Sequence, residues 1–505
     1  MTSTEVPASG AGEDTAGAGA AGVDPQRYRG LLYERLAALI EGQIASGVLT
    51  VGARAPSVRA LARSAGVSIA TVNQAYQQLE ARGLLEARPR SGYFVAAAAR
   101  RTLEPPDSPR PRTRRPRSVA GEAIDAILDA MRRPDEVLAL GSAVTAFTGR
   151  LDARLNRITR QVLREAPRLP NSLAVPPGDP ALRRAVAARL SLSGVTVEPD
   201  HVVVTSGTMD AIVLALGVLC RPGDTVLVES PTYFGILQAV EHLRLKVVEV
   251  ANTPGAGIDV DGVATLLGRQ RVAAAVLMPN FNNPTGALTP DADKTRLVKL
   301  LGAAGVPVIE DDIYGDIAFS GERPRPLASF AVAAGDAAPV VTCGSVSKTI
   351  ALGYRIGWAV SPELAGELTR AKFCTSVACP GLQQRVLARY FDSGGYERHL
   401  RQLRAALAVD RDRYRDAIAR SFPPGTRVSD PAGGVVLWVQ LPDGCDGAAL
   451  FRRALDQQIG IAPGIVFSAK ADYRQYVRIS MGAGWSGAVQ NGLERLGELA
   501  RRVMV

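Results

Sequence analysis

The chain holds only six lysines in 505 residues, and one of them, Lys348, sits between two small hydroxyl residues, Ser347 and Thr349. The surrounding stretch, GSVSKTIALGYRIGW at 344–358, adds Ser345 and Arg355. Four other stretches carry side chains of matching chemistry. TSGTMDAI offers Ser206, Gly207, Thr208 and Met209, whose amides and hydroxyls are expected at a helix N-terminus, a place that favours an anion such as phosphate. SPTYFG supplies Tyr233, a ring able to stack on a flat ligand, and NFNNPTG supplies Asn283 as a side-chain donor. VIEDDIYGD supplies Asp311 and Tyr314, three apart, so that both could face one cleft. A planar, phosphorylated heteroaromatic aldehyde needs a phosphate cup, a stacking ring, an acid for its ring nitrogen, donors for its phenolic oxygen and an amine. All five occur, in that order, and the set is expected to form a pyridoxal 5′-phosphate site.

Roles follow from the chemistry. Lys348 is the candidate Schiff-base amine, its pKa lowered by nearby positive charge. Ser345, Ser347 and Arg355 are expected to complete the phosphate cup with Ser206, Gly207 and Thr208, arginine giving charge-assisted forks. Asp311 would hold the ring nitrogen protonated, while Asn283 and Tyr314 would bond the phenolic oxygen; Lys348, Asp311 and Tyr314 form the candidate catalytic group. In YVRISMG, Arg478 on a late strand suits a substrate carboxylate, at about 1.5–3 kcal/mol per charged hydrogen bond. An amino-acid ligand is therefore expected. Taken singly, Asp311 also fits a helix cap, Tyr314 a core aromatic, Lys348 a surface loop and Arg478 a buried ion pair.

These residues need a scaffold that gathers them. From about residue 124 onward, apolar runs rich in β-formers (HVVVTSG, DTVLVES, KVVEVA, AAAVLMPN, VPVIEDD, VVTCGS, RIGWAVS) alternate with helical patterns. That alternation predicts an α/β domain with a largely parallel sheet, and ligands in such sheets lie at the carboxyl ends of the strands. Each of the motifs above is expected at such an end.

The N-terminal part reads differently. Tyr33, Leu36, Ala37, Ile40 and Ile44 make one apolar helical stripe. Ser57 is a plausible cap and Gly66 a plausible stop for a second helix, and Ile69, Val72, Tyr76 and Leu79 predict the buried stripe of a third. Ser68, Thr71, Asn73 and Gln74 would then face outward, the layout of a helix-turn-helix. LLEARPRSGYFVA predicts a basic hairpin, or wing. Recognition-helix hydroxyls and amides suit base edges, whereas Arg59, Arg63, Arg88 and Arg90 suit phosphates or the minor groove. The organisation expected is a disordered tail at 1–24, a DNA-binding unit at 25–97, a Pro/Arg-rich linker at 98–121 and a cofactor-binding unit at 122–505.

Composition narrows the classes further. The net charge of +10 is concentrated in part in the linker, where seven arginines between positions 100 and 117 face only Glu104 and Asp107, which suggests a polyanionic partner. Five cysteines at unrelated spacings and three histidines favour neither a disulfide framework nor a metal site, so no metal and a reducing cytoplasm are expected. No apolar run reaches the roughly 20 residues of a membrane span, and the N-terminus lacks a secretory pattern. GAGAAG at 17–22 matches a dinucleotide fingerprint only in letters, because no strand precedes it.

The motifs PSVRALA, GVS..TV..AY..LE..GL and RP.SGYFV resemble the GntR-type winged helix over residues 28–95, with Ala55 where the family more often has leucine. SG, PTY, NNPTG, D..Y, S.SK, YRIGW and VRIS resemble the fold type I aminotransferases, pyridoxal-phosphate enzymes with large and small subdomains. Together they make the chain similar to MocR-type regulators, the chimeric branch of the GntR family. That resemblance implies a homodimer that binds operator DNA and senses an amino acid or other amino compound by exchange at the Lys348 aldimine. A working aminotransferase with an appended DNA-binding unit is the alternative. Two departures bear on cofactor affinity: Leu352 stands where relatives commonly have proline, and NSLAVPPGDP lacks a tyrosine that relatives often carry near position 173.

Overall fold

The structure, a computed structural model, describes residues 32–45, 48–49, 52–81, 84–88, 91–96, 103–108, 119–145, 149–319, 322–334 and 338–503. The tail expected at 1–24, the wing-tip Arg90 and most of the linker expected at 98–121 lie outside the described residues. The chain divides into two compact units, Met1–Arg100 and Arg101–Val505.

The first unit contains α1 (Leu32–Ala45), α2 (Val58–Ala65), α3 (Ile69–Ala81) and a hairpin of β1 (Leu85–Arg88) and β2 (Gly92–Val95). As expected, the Ser57 hydroxyl caps α2 by accepting from Ala60 N at 3.2 Å, and Gly66 ends it at φ +64°, a left-handed turn that glycine adopts at little cost. Ser68 caps α3 in the same way, accepting from Thr71 N at 3.1 Å. Leu36, Ala37 and Ile40 pack with Val72, Ala75, Tyr76 and Leu79 in one core. Ile69 departs from the expected stripe: it is 51% exposed, and Ala75 is the buried residue that the pattern overlooked. The cause is directional, since a helical side chain covers the turn before its own Cα, and the first residue of a helix has none. Ala55 is buried, its N–H bonded to Tyr93 O at 2.9 Å.

The second unit opens with α4 (Val119–Met131), β3 (Leu138–Ala139), α5 (Gly149–Glu165) and α6 (Pro180–Ser191). Its main sheet comprises β4 (Val202–Thr205), β5 (Thr225–Ser230), β6 (Lys246–Thr253), β7 (Gly257–Ile258), β8 (Ala274–Leu277), β9 (Val308–Asp311), β10 (Val340–Ser345) and β11 (Gly357–Val360). Their order is β4-β11-β10-β9-β8-β5-β6-β7, all parallel except β7 and β11. β4, β8 and β9 are buried along their whole length, as strands covered on both faces must be. Two helices that matter for the site follow β4 and β5: α7 (Thr208–Leu219) and α8 (Phe234–His242).

A smaller antiparallel sheet, β12-β13-β16-β15, is made of β12 (Arg427–Val428), β13 (Val436–Gln440), β15 (Ala462–Pro463) and β16 (Tyr476–Ser480), while β14 (Ile459–Gly460) pairs with β3. Residues 103–108, within the expected linker, dock on this sheet. Glu104 O accepts from Val428 N at 2.9 Å, Asp107 O accepts from the Tyr476 hydroxyl at 2.9 Å, and Arg427 pairs with Glu104 at 3.2 Å. Two acids in an otherwise basic segment thus find a complementary arginine.

Gly357 starts β11, paired with Thr205 of β4 on one side and Ser345 of β10 on the other. A Cβ there would lie 2.6 Å from Gly344 O and 2.7 Å from the Gly207 backbone. Neither can yield without moving a strand. Gly357→Ala is therefore expected to destabilise the second unit by about 1–3 kcal/mol. A lower urea midpoint, read from Trp358, Trp438 and Trp485, all in that unit, checks this.

Candidate functional site

The candidate phosphate cup lies where β4, β10 and β11 meet. Gly207, at φ +100°, turns the chain from β4 into α7, and a Cβ on it would lie 2.8 Å from an Arg355 guanidinium nitrogen. That guanidinium donates to Ser206 O at 2.9 Å and to the Ser347 hydroxyl at 3.3 Å, so it bridges the two loops. Arg355 itself is held in the left-handed region, φ +51° and ψ +49°, a costly conformation for a residue with a Cβ. The Ser345 hydroxyl accepts from Ser347 N at 3.1 Å and bonds Ile356 O at 2.8 Å, fixing the turn that presents Lys348. Thr208 Oγ1 is buried with no partner among the described residues.

One feature here differs from a simple ring of free amides. Ser206 N is taken by Asp210, which accepts from it at 2.6 Å. Lys372, fully buried on the helix Ala365–Ser376, donates to the same Asp210 oxygen at 2.6 Å and reaches the Ser206 hydroxyl at 3.4 Å. A bare carboxylate beside an anion cup would repel the anion; Lys372 neutralises it. Neither residue was singled out from the sequence, where the scarcity of lysine was the one available signal.

The other end of the site is built from β9, β16 and the loops after β5 and β8. Asp311 is buried at the end of β9, its Oδ1 accepting from Ile313 N at 3.2 Å. Burial pushes its pKa up to about 7, with the neighbouring Asp312 adding to the rise and Lys348 opposing it. Lys348 is driven the other way, down to about 8, by burial and by the positive charges of Arg478 and Arg355. Its backbone is tied by Thr145, whose hydroxyl donates to Lys348 O at 2.8 Å. Tyr314 is buried and its phenol is pushed up by burial. Tyr233 stands at the N-cap of α8, its ring 4.8 Å from that of Phe234.

Arg478 is buried on β16 over the Phe467 ring, 5.1 Å from the centroid. It donates to Asn283 Oδ1 at 2.9 Å and to Gly141 O, leaving its Nε without a partner among the described residues. Because the Asn283 oxygen is engaged, its amide hydrogens are left for an acceptor in the cavity. Burial disfavours the charge on Arg478 and lowers its pKa.

These groups surround one cavity of about 300 Å³, lined by Thr208, Tyr233, Asn283, Asp311, Tyr314, Ser347, Lys348, Arg355 and Arg478, together with Ile127 and Met131 of α4 and the 141–144 segment. The structure thus brings most of the expected cofactor residues to one cavity; Ser206, Gly207 and Ser345 are not among its lining and adjoin it through Arg355 and Ser347. Gly141, α4 and Met278 also line the cavity and escaped sequence reasoning, since no motif marks them.

In the first unit, Arg59, Arg63, Ser68, Asn73, Gln74 and Arg88 are exposed and Thr71 half-buried. Ser68 and Thr71 bond each other through their hydroxyls at 2.8 Å. Arg88 lies over the Phe94 ring at 4.3 Å and pairs with Glu86, so part of its charge is already answered within the wing.

Residues 136–496 match the family Aminotransferase class I and II, and residues 32–95 match the bacterial regulatory proteins of the gntR family. The chain is 35% identical to an uncharacterized HTH-type transcriptional regulator, YdcR of Escherichia coli (strain K12), over 92% of this chain and 98% of that protein. It is 32% identical to a second from the same organism, YjiR, over 94% and 99%. Among solved structures, LysN, the alpha-aminoadipate aminotransferase of Thermus thermophilus, superposes with a TM-score of 0.70 at 28% identity, covering 77% of this chain and 97% of that one. With a gntR-type winged helix ahead of a fold type I aminotransferase domain, and relatives of the same composition along nearly their whole length, the chain belongs to the MocR-type branch of the GntR family of transcriptional regulators.

Proposed function

We propose that this regulator holds pyridoxal 5′-phosphate in the cavity around Lys348 and changes its grip on operator DNA when an amino compound binds there. The observation that carries the reading is a pair of buried atoms without partners among the described residues, Thr208 Oγ1 and Arg478 Nε, on two residues that line one cavity. Buried polar atoms without partners cost free energy, which a phosphate near one and a carboxylate near the other would offset. The solved structure of LysN is a complex with N-(5'-phosphopyridoxyl)-L-leucine, which supports the same assignment.

When bound, the cofactor supplies a carbonyl for amines and an electron-withdrawing ring. The chain's own residues supply the rest. Lys348 keeps a sizeable neutral fraction near physiological pH because its pKa is held down to about 8. Asp311 would meet a ring N–H, Asn283 and Tyr314 would offer donors to an oxygen, and Tyr233 a flat face. Arg355, Ser206, Gly207, Thr208, Ser345 and Ser347 would hold the phosphate, and Arg478 the carboxylate of an amino acid. In the first unit, Ser68, Thr71, Asn73 and Gln74 would meet base edges, with Arg59, Arg63, Arg88 and Arg90 on the backbone. A division at 25–97, 98–121 and 122–505, a homodimer and a cytoplasmic location complete the reading. In such a dimer the half-sites would lie a multiple of roughly 34–36 Å apart.

Purified protein mixed with pyridoxal 5′-phosphate is expected to show a visible absorbance band that Lys348→Ala lacks; identical spectra would refute the cofactor assignment. Asn73→Ala or Gln74→Ala should weaken binding to an operator by about 1–3 kcal/mol, with affinity falling steeply as salt rises. A footprinting titration on the DNA upstream of the protein's own coding region measures both.

Asp311 gives a pH-dependent outcome. Its folded pKa of about 7 lies above its ordinary value of 3.8, so folding takes up a proton between them. The stability this contributes is complete below the lower value and lost as pH rises through the upper one. Asp311→Asn is therefore expected to raise the thermal midpoint of the cofactor-free protein at about pH 8 and leave it nearly unchanged at about pH 4. The same substitution should weaken retention of pyridoxal 5′-phosphate in dialysis.

A further inference from the structure

We infer that Asp210 and Lys372, neither of which lines the cavity, are positioning residues of the anion site, and that together they set its preference for the phosphorylated over the unphosphorylated form of the cofactor. This rests on the cofactor reading above and deepens it. It is carried by a chain of contacts that ends on Arg355, a cation of the cavity wall.

The chain passes through both ends of one residue. Ser206 N donates to Asp210 Oδ2 at 2.6 Å, and Ser206 O accepts from Arg355 Nη2 at 2.9 Å. The carboxylate therefore fixes the loop that fixes the guanidinium. Arg355 has particular need of such an anchor. Its left-handed backbone, at φ +51°, persists only where surrounding contacts over-determine it. Asp210 thus bears on the direction in which Arg355 presents its remaining donors, although the two side chains belong to different elements.

Lys372 has no part in that geometry, and its place needs a separate reason. Asp210 stands in the first turn of α7, where a carboxylate reaching back to the preceding loop is already favoured by the helix dipole. That task calls for no ammonium. Lys372 is nevertheless fully buried, donating to Asp210 Oδ2 at 2.6 Å and to Ser206 Oγ at 3.4 Å. Leu368 of its own helix packs in one buried cluster with Ala211 and Ala215 of α7, which holds the ammonium by the positive end of that helix. Burial and the dipole both oppose a cation there. What the cation supplies is a neutral pair in place of a bare carboxylate, so that the hydrogen bond to Ser206 is kept without a charge that repels an anion. Asp210 contributes the geometry and Lys372 the charge.

The test titrates the full-length protein with pyridoxal 5′-phosphate and, separately, with pyridoxal, following the Lys348-dependent absorbance band. The ratio of the two half-saturation concentrations is the readout, because a general loosening of the fold weakens both ligands alike. Lys372→Met leaves the carboxylate bare and is expected to weaken the phosphorylated ligand about tenfold relative to pyridoxal. Asp210→Asn with Lys372→Met removes both charges but keeps an oxygen to accept from Ser206 N; the ratio should return to within about twofold of the wild type. Asp210→Ala with Lys372→Met removes that acceptor as well and should shift the ratio by about tenfold again. A wild-type ratio in Lys372→Met overturns the part played by charge, and one in the alanine double variant overturns the part played by geometry. A ratio that stays depressed in the asparagine double variant overturns the division between them. Parallel loss of both ligands reduces the pair to scaffold and overturns the inference. Should Lys372→Met fail to fold, the two double variants, which strand no charge, still decide by their difference. Absence of any Lys348-dependent band in the wild type overturns the cofactor reading and the inference with it; a wild-type band with unchanged ratios in the variants overturns the inference alone.

Discussion

The reversal of a single strand underlies the whole site. β11 runs antiparallel between β4 and β10, so its first residues lie beside the last residues of both neighbours. In a parallel arrangement the start of that strand would stand at the opposite edge of the sheet. Because it is reversed, Arg355, just before β11, meets Ser206 after β4 and Ser347 after β10. Gly344, Gly357 and Gly207 make the approach close enough. Charge then concentrates at this edge because the topology leaves no other place for the three loops to go.

The second organising force is desolvation. Asp311 and Lys348 are shifted toward their neutral forms, mainly by burial. A site kept in this state would take up a polar, phosphorylated partner without first stripping water from fully charged groups. The same environment explains why Arg478 is braced on three sides, by Asn283, Gly141 and the Phe467 ring. The Asn283 contact also joins β16 of the smaller sheet to a loop of the larger one, so the geometry of the two subdomains and the orientation of one amide are set together.

Much of this was legible beforehand because strand ends are local features. A β-rich run followed by SG, PTY, NNPTG or SK declares both its secondary structure and its chemistry within a few residues, and the two caps of the N-terminal unit, Ser57 and Gly66, are equally local. What escaped was nonlocal or directional. Lys372 meets Asp210 across 162 positions, and Arg478 meets Gly141 across 337. No spacing rule reaches so far. The docking of residues 103–108 is not legible in their composition, which proline and charge dominate, because it depends on Arg427 and on a backbone bond to β12. Ile69 failed for the opposite reason: its periodicity was right, but its place at the very start of α3 sends the side chain outward.

The Lys372–Asp210 pair has a bearing on how such a sequence can drift. Loss of either member alone would strand the other, leaving an ammonium with no exposed surface or a carboxylate hydrogen-bonded to the loop at the cup. Breaking a buried pair by removing one partner is far more damaging than replacing both with apolar groups of similar shape. The two codons therefore behave as one heritable unit, and single-step variants at either position form a barrier between the paired and the apolar solutions.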